Sequence, residues 1–361
     1  MVVLDEAKFL PPVQKFIKMD GKRFMNQALI YCIKKRLSVA KLKNITSKLA
    51  TAGDIAYKSR TMDLEKIGIP ITQEEMKLVV DLERYVTDKI SRVEMRKYKI
   101  PKAVRFENVV AKDVQAEWQI VPGATEGKVL FYIHGGGLFF YSAVNYRAFT
   151  VHLALNAKVR VLSVDYRLYP EHKHPSHIDD VLAAYTWLLS TGIDPKNVIV
   201  GGDSAGGLLV MRLLTRLRDE GRPLPAGAFC LSPMTDLTFS SKTMFDNMPT
   251  DSTFGTSGAF VLLDHVFKTA DPSIDPKDPA ISPVFAKMAG LPPLLFQATP
   301  MEMLFDDSRQ LVEKAKKEGV DVTFQTWDGL FHVFQAGGLN YFPEALEANR
   351  KIVEFITQHL A

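Results

Sequence analysis

The sequence predicts an α/β fold, with a mostly parallel central sheet flanked by helices and an N-terminal helical cap. From about residue 104, short apolar runs alternate with helical segments in the rhythm of βα units. Residues 1–103 instead carry helical patterns interleaved with lysines, with no strand signal before Val104. One β run enters a glycine-flanked serine and leaves directly into an apolar helix. At 361 residues and 47% apolar content, the chain is long enough for one large α/β domain plus a cap.

In chain order, 24–42 and 73–90 read as helices of the cap region. The β runs are 127–133, 159–164, 197–201, 229–232, 294–298 and 322–327, with helical stretches at 208–217 and 308–317 between them. Residues 344–359 form a closing amphipathic helix that places Leu346, Ile352, Val353 and Ile356 on its apolar side. The α/β domain spans 104–361 and holds an irregular insertion, 238–293, with a helix candidate at 258–269 and a Pro/Asp-rich run at 271–283. Insertion and cap together are expected to roof the site.

The net charge of +4 gives no case for nucleic acid, yet the first 60 residues carry 13 Lys/Arg against 4 Asp/Glu. The basic segment with Arg23, Lys34, Lys35, Arg36, Lys41, Lys43 and Lys48 reads either as a solvated helix face or as a peripheral contact for anionic membranes. Two cysteines, Cys32 and Cys230, outline no disulfide framework. Asp5 and Glu6 stand where a leader would be basic, and no unbroken apolar run reaches membrane-spanning length, so a soluble cytoplasmic protein is expected. The sequon at Asn44 matters only for a secreted chain.

The chemistry centres on Gly202-Asp203-Ser204-Ala205-Gly206. A serine in a sharp strand-to-helix turn is a nucleophile elbow, and glycine is needed on both sides because side chains there would strike neighbouring backbone. Upstream, His134-Gly-Gly-Gly137 follows a β run, where consecutive glycine amides and the amide of Ala205 offer donors to a developing oxyanion. A serine hydroxyl needs a base, and the base needs a carboxylate. His332, in Trp327-Asp-Gly-Leu-Phe-His, follows the last β run and fits the base, whereas His134 reads as structural. The acid lies after the run 294–298, where Glu302, Asp306 and Asp307 compete; the last two also suit the N-terminus of a helix.

His172, His174 and His177 cluster among prolines without the thiolates or carboxylates of a metal site, so no metal or cofactor is expected. Phe139, Phe140, Tyr141, Phe331 and Phe334 flank these loops and are candidates for an apolar acyl pocket or for core. The Gly-Asp-Ser-Ala-Gly-Gly run is also similar to serine-protease patterns, but those need an all-β chain with histidine and aspartate before the serine.

From about residue 104 onward the chain resembles the hormone-sensitive lipase family of α/β-hydrolases, which includes bacterial class IV esterases and arylacetamide deacetylase. The motifs occur in the family's order: His134-Gly-Gly-Gly137, Asp165-Tyr-Arg-Leu with Pro170-Glu-His172, Gly202-Asp-Ser-Ala-Gly-Gly207, Ser282-Pro283 ahead of Gly290-Leu-Pro-Pro293, and Gly329-x-x-His332. The resemblance implies a triad of Ser204, an acid and His332, with Gly135, Gly136 and Ala205 as oxyanion donors. It aligns Glu302 onto the first aspartate of the family's Asp-Pro-Leu-x-Asp-Glu pattern, a departure to glutamate, with Asp306 as the fallback. Asp203 becomes a structural partner of the neighbouring loop.

The expected function is serine carboxylesterase, acting on short to medium acyl esters. Alternatives are a deacetylase or amidase on sterol acetates or arylacetamides, and a non-catalytic binding protein. Plant gibberellin receptors resemble the same family but lack the triad histidine, which is present here.

Overall fold

In the computed structural model, which describes residues 2–255 and 257–360, eight strands form one sheet. They are β1 (Arg105–Ala111), β2 (Val114–Ile120), β3 (Val129–Ile133), β4 (Arg160–Asp165), β5 (Val198–Asp203), β6 (Gly227–Leu231), β7 (Leu294–Ala298) and β8 (Val322–Thr326). Their spatial order is β1-β2-β4-β3-β5-β6-β7-β8. From β4 to β8 every pairing is parallel, while β1 and β2 add an antiparallel edge. β1 and β2 join through Lys112 and Asp113, both at positive φ (49° and 69°), the backbone shape a tight hairpin needs.

The helices are, in chain order, α1 (Pro11–Lys35), α2 (Val39–Ser59), α3 (Leu64–Ile67), α4 (Gln73–Tyr98), α5 (Ala143–Ala157), α6 (Ser176–Ser190), α7 (Ala205–Asp219), α8 (Lys242–Asp246), α9 (Ala259–Ala270), α10 (Phe305–Lys317), α11 (Phe334–Gly337) and α12 (Pro343–His359). They cover both faces of the sheet, which is why β3, β5, β6 and β7 are buried along their whole length and read as unbroken apolar runs. Within β3 the alternation is still visible in the partners. Val129, Phe131 and Ile133 join the core containing α6, α7 and α10, whereas Leu130 and Tyr132 join the core under α5 and α12.

The single helix expected over 24–42 is in fact the end of one helix and the start of another. α1 ends where Arg36 turns left-handed (φ 53°), its N–H reaching the carbonyls of Cys32 and Ile33. α2 then starts under Ser38, whose hydroxyl accepts from the Lys41 amide at 3.0 Å. α4 opens with a capping box between Thr72 and Glu75 and runs to Tyr98, beyond the 73–90 expected.

The N-terminal helices do not sit apart from the sheet. Ile45, Leu49, Ala52 and Ala56 of α2 belong to the same core as Phe260 and Val261 of α9 and the central strands. A Cβ on Gly53 would stand 3.2 Å from the Gly258 backbone, so α2 and α9 touch almost main chain to main chain. α4 is fixed to the loops after β3 and β4 by Arg84, which donates to the carbonyls of Phe139 and Tyr169 at 2.7 Å each and pairs with Glu171 at 2.8 Å.

Arg84→Ala strips two carbonyls of a charged donor and is expected to lower unfolding stability by ~1–3 kcal/mol. Urea unfolding of wild type and variant followed by far-UV circular dichroism checks this; equal midpoints and slopes would deny the latch.

Candidate active site

Ser204 lies between the end of β5 and the first residue of α7 with φ 51° and ψ −119°, a backbone region that costs a non-glycine residue free energy. The strain is held from both sides. The Ser204 amide donates to Leu231 O at 2.8 Å, and its carbonyl accepts from Leu208 and Met234, both at 3.1 Å. The flanking glycines are obligatory for contact reasons: a Cβ on Gly206 would stand 2.1 Å from Ile133 O, and one on Gly202 2.7 Å from the Gly206 carbonyl carbon.

The neighbouring Asp203 is fully enclosed and accepts from the hydroxyls of Tyr132 and Tyr146, at 2.6 Å each, and from the Gly135 amide at 3.1 Å. Burial pushes its carboxyl up to about 6, against the pull of these donors and of His332. This contact corrects the expected set of oxyanion donors. Gly135 cannot serve, because its N–H is already directed at the Asp203 carboxylate. The amides of Gly136 and Gly137 have no acceptor among the described residues, and nor does that of Ala205 at the head of α7. Both glycines have positive φ, 100° and 62°, and a Cβ on Gly136 would meet Phe140 O at 2.2 Å. His134 is buried, stacks on Tyr166 and keeps its Nδ1 on Gly135 O; burial lowers its pKa to about 4, so it stays neutral.

Glu302 follows β7 and His332 follows β8, both at the same sheet edge as Ser204. The Glu302 Oε2 and His332 Nδ1 are 2.6 Å apart, and both side chains are buried. The second Glu302 oxygen accepts from the Thr299 amide at 3.2 Å, so the carboxylate cannot swing away freely. The His332 turn crosses back toward β6, where the Val333 amide reaches Ser232 Oγ at 3.4 Å, beside the Leu231 carbonyl that holds Ser204. His332 Nε2 is buried and makes no hydrogen bond among the described residues, Ser204 Oγ included. Burial opposes the imidazolium, but Glu302, through its bond and its charge, with Asp251 and Asp203 adding, raises the His332 pKa above 6.5.

The competing carboxylates are engaged elsewhere. Asp306 accepts from the Thr243 amide and pairs with Arg309, and Asp307 accepts from the Thr235 and Asp236 amides at 2.6 and 2.9 Å. His177 is buried and stacks on Tyr169 at 4.4 Å, and among the described residues no group of His, Cys, Asp or Glu is placed to hold a metal ion. Cys32 and Cys230 are buried and free.

Residues 130–336 match the family model of the α/β-hydrolase fold. An esterase of Acinetobacter venetianus is 34% identical over 287 residues, 79% of this chain and 91% of that protein. A solved esterase of the bacterial hormone-sensitive lipase family is 31% identical and superposes with a TM-score of 0.72 over 90% of this chain and 99% of that one. The chain belongs to the hormone-sensitive lipase family of α/β-hydrolases. Another similar structure, the esterase EstE5 soaked with p-nitrophenyl butyrate, is 34% identical, with a TM-score of 0.69 over 76% of this chain and 91% of that one.

Some residues of this hydrolase site were not apparent in the sequence. Phe254 meets the His332 ring edge-on, with centroids 4.8 Å apart. Asp251 accepts from the Thr253 and Phe254 amides and from the Met303 amide, pinning the insertion to the Glu302 loop. Asn247 donates to the carbonyls of Pro300 and Glu302, both at 2.8 Å. Asp251-Ser-Thr-Phe254 does carry a local turn signature, an aspartate bonding amides two and three residues on, but its partner in the Glu302 loop lies far along the chain. Among the aromatic candidates, Phe334 packs on Trp327 in the core, and Phe331 stacks on Phe16 of α1 at 5.0 Å. Phe139 is buried against Tyr169 and Phe267, while Phe140 and Tyr141 stay beside the glycine loop.

Glu302→Gln removes the charge that raises the His332 pKa, so the imidazole is expected to titrate at lower pH than in wild type. Asp306→Asn leaves it unmoved. Proton–nitrogen NMR of the ring across a pH series reads both, and equal shifts in the two variants would contradict the Glu302 pairing.

Proposed function

We propose that this carboxylesterase works through a triad of Ser204, His332 and Glu302, with the amides of Gly136, Gly137 and Ala205 as its oxyanion hole. The observation that carries the reading is the 2.6 Å bond between buried Glu302 and His332 Nδ1, which leaves Nε2 as the free nitrogen. A carboxylate on Nδ1 fixes the neutral tautomer whose Nε2 accepts a proton, and it stabilises the cation that results.

In this scheme an ester carbonyl lodges against the three free amides. Ser204 Oγ attacks the carbonyl carbon as its proton passes to His332 Nε2. The tetrahedral oxyanion is held by donors that need no reorganisation, each contributing roughly 3 kcal/mol. Collapse expels the alcohol, which takes the proton from His332, and water activated by the same base then releases the acid from the acyl-enzyme. The N-terminus of α7 points at the serine and adds its dipole to the hole.

The site is closely roofed, with Ser204 and His332 only 7% and 8% exposed and Phe254 over the base. Such a roof favours short to medium acyl groups. Residues 1–103 form the cap and 104–361 the catalytic domain.

The test is hydrolysis of p-nitrophenyl esters from acetate to palmitate. Wild type is expected to peak among the shorter chains, and Ser204→Ala and His332→Ala to lose ~10⁴-fold or more in kcat. Inertness on esters with turnover of acetanilides would move the enzyme to the amidases, and inertness on both would make it a binding protein.

Because His332 must be neutral to accept a proton and its pKa is raised, kcat/KM in the free enzyme falls on acidification with a midpoint above 6.5. A pH profile with butyrate ester checks this; a midpoint below 6.5 would contradict the assignment.

A further inference from the structure

The outer face of α1 is unlike the rest of the surface. Tyr31, Cys32 and Ala28 point inward against Leu82 and Val86 of α4. On the opposite side Met25, Leu29, Ile30 and Ile33, spaced as one helical stripe, are 55%, 40%, 39% and 76% exposed, and Val39 at the start of α2 continues the stripe at 39%. Cations bracket it. Lys15, Lys18 and Lys22 share the same sector one to three turns earlier, and Lys34, Lys35 and Arg36 close its end. Lys18 is paired with Glu6, but no ion pair among the described residues engages Lys15, Lys22, Lys35 or Arg36. The only acidic residue of α1, Asp20, lies on the inner side, half-buried beside Arg23.

We propose that this face seats the enzyme on anionic lipid surfaces, with Met25, Leu29, Ile30 and Ile33 inserted among acyl chains and the surrounding cations on the headgroups. Water is a poor solvent for a contiguous stripe of this kind, which marks an interaction surface. Charge decides the occupant. A second copy of the same face would bring like-charged rings together, whereas an anionic bilayer satisfies the cations and the apolar side chains at once. No helix among the described residues is long and apolar enough to cross a membrane, so this contact is peripheral. It also involves the site. The first half of the same helix, through Val13 and Phe16, packs with Leu330, Phe331 and Phe334 around the His332 turn.

The proposal is tested by co-sedimentation of the full chain with phosphatidylcholine vesicles, with and without phosphatidylserine, and does not rest on esterase activity. Pelleting is expected only with phosphatidylserine and to weaken as salt rises. Replacing Met25, Leu29 and Ile33 together by Gln should weaken it ~10-fold or more. Lys22→Gln, Lys35→Gln and Arg36→Gln should each cost about fivefold. Butyrate ester hydrolysis without vesicles stays at the wild-type rate in all variants, which shows that they fold. Equal pelleting with neutral and anionic vesicles, equal pelleting of wild type and the triple variant, or a dimer in sedimentation velocity that the triple variant abolishes would overturn it.

Discussion

A buried carboxylate one residue before Ser204 organises the site. Asp203 receives two tyrosine hydroxyls and one glycine amide, so it joins β3, α5 and the glycine loop to the elbow in one bonded unit. An enclosed carboxylate is costly, and the rise of its pKa to about 6 shows that its three donors do not fully offset desolvation. The sign follows: the folded state gives up stability as pH rises from the ordinary carboxylate range through about 6. In return the Gly135 amide is fixed, and with it the direction of the two amides that follow. Rigid placement of the donors is what makes an oxyanion hole effective.

The parts of the site written in consecutive residues were legible in the sequence. The elbow around Ser204 announces itself through its glycines and its strand-to-helix setting, and His332 through its turn after the last strand. The parallel sheet was legible too, because strands buried on both faces become apolar runs. Which glycine of 135–137 keeps a free amide was not, since that depends on Asp203, distant in sequence. The break at Arg36 was hidden because an arginine, not a glycine, takes the left-handed position. Asp251 and Phe254 sit in an insertion without regular pattern, and only the fold shows them against the Glu302 loop and His332.

The partner of His332 illustrates how a carboxylate is selected by what its neighbours leave it. Asp306 and Asp307 lie only a few residues beyond Glu302, yet each is engaged by donors from the segment after β6. Glu302 has a single backbone donor on one oxygen, which orients it while leaving the other for the imidazole. The longer glutamate side chain therefore reaches His332 from a loop that is itself tied down by Asn247 and Asp251.

The Leu10 amide donates to Gly329 O, and a Cβ on Gly329 would come within 3.1 Å of the Leu10 side chain. The helix α1 thus begins by bracing the turn that carries His332. Pieces of sequence more than three hundred residues apart therefore fit each other as a matched pair. Chimeras that exchange N-terminal segments among relatives would have to move the stretch around Leu10 to Phe16 together with the turn from Trp327 to Phe342, or rebuild the seam between them.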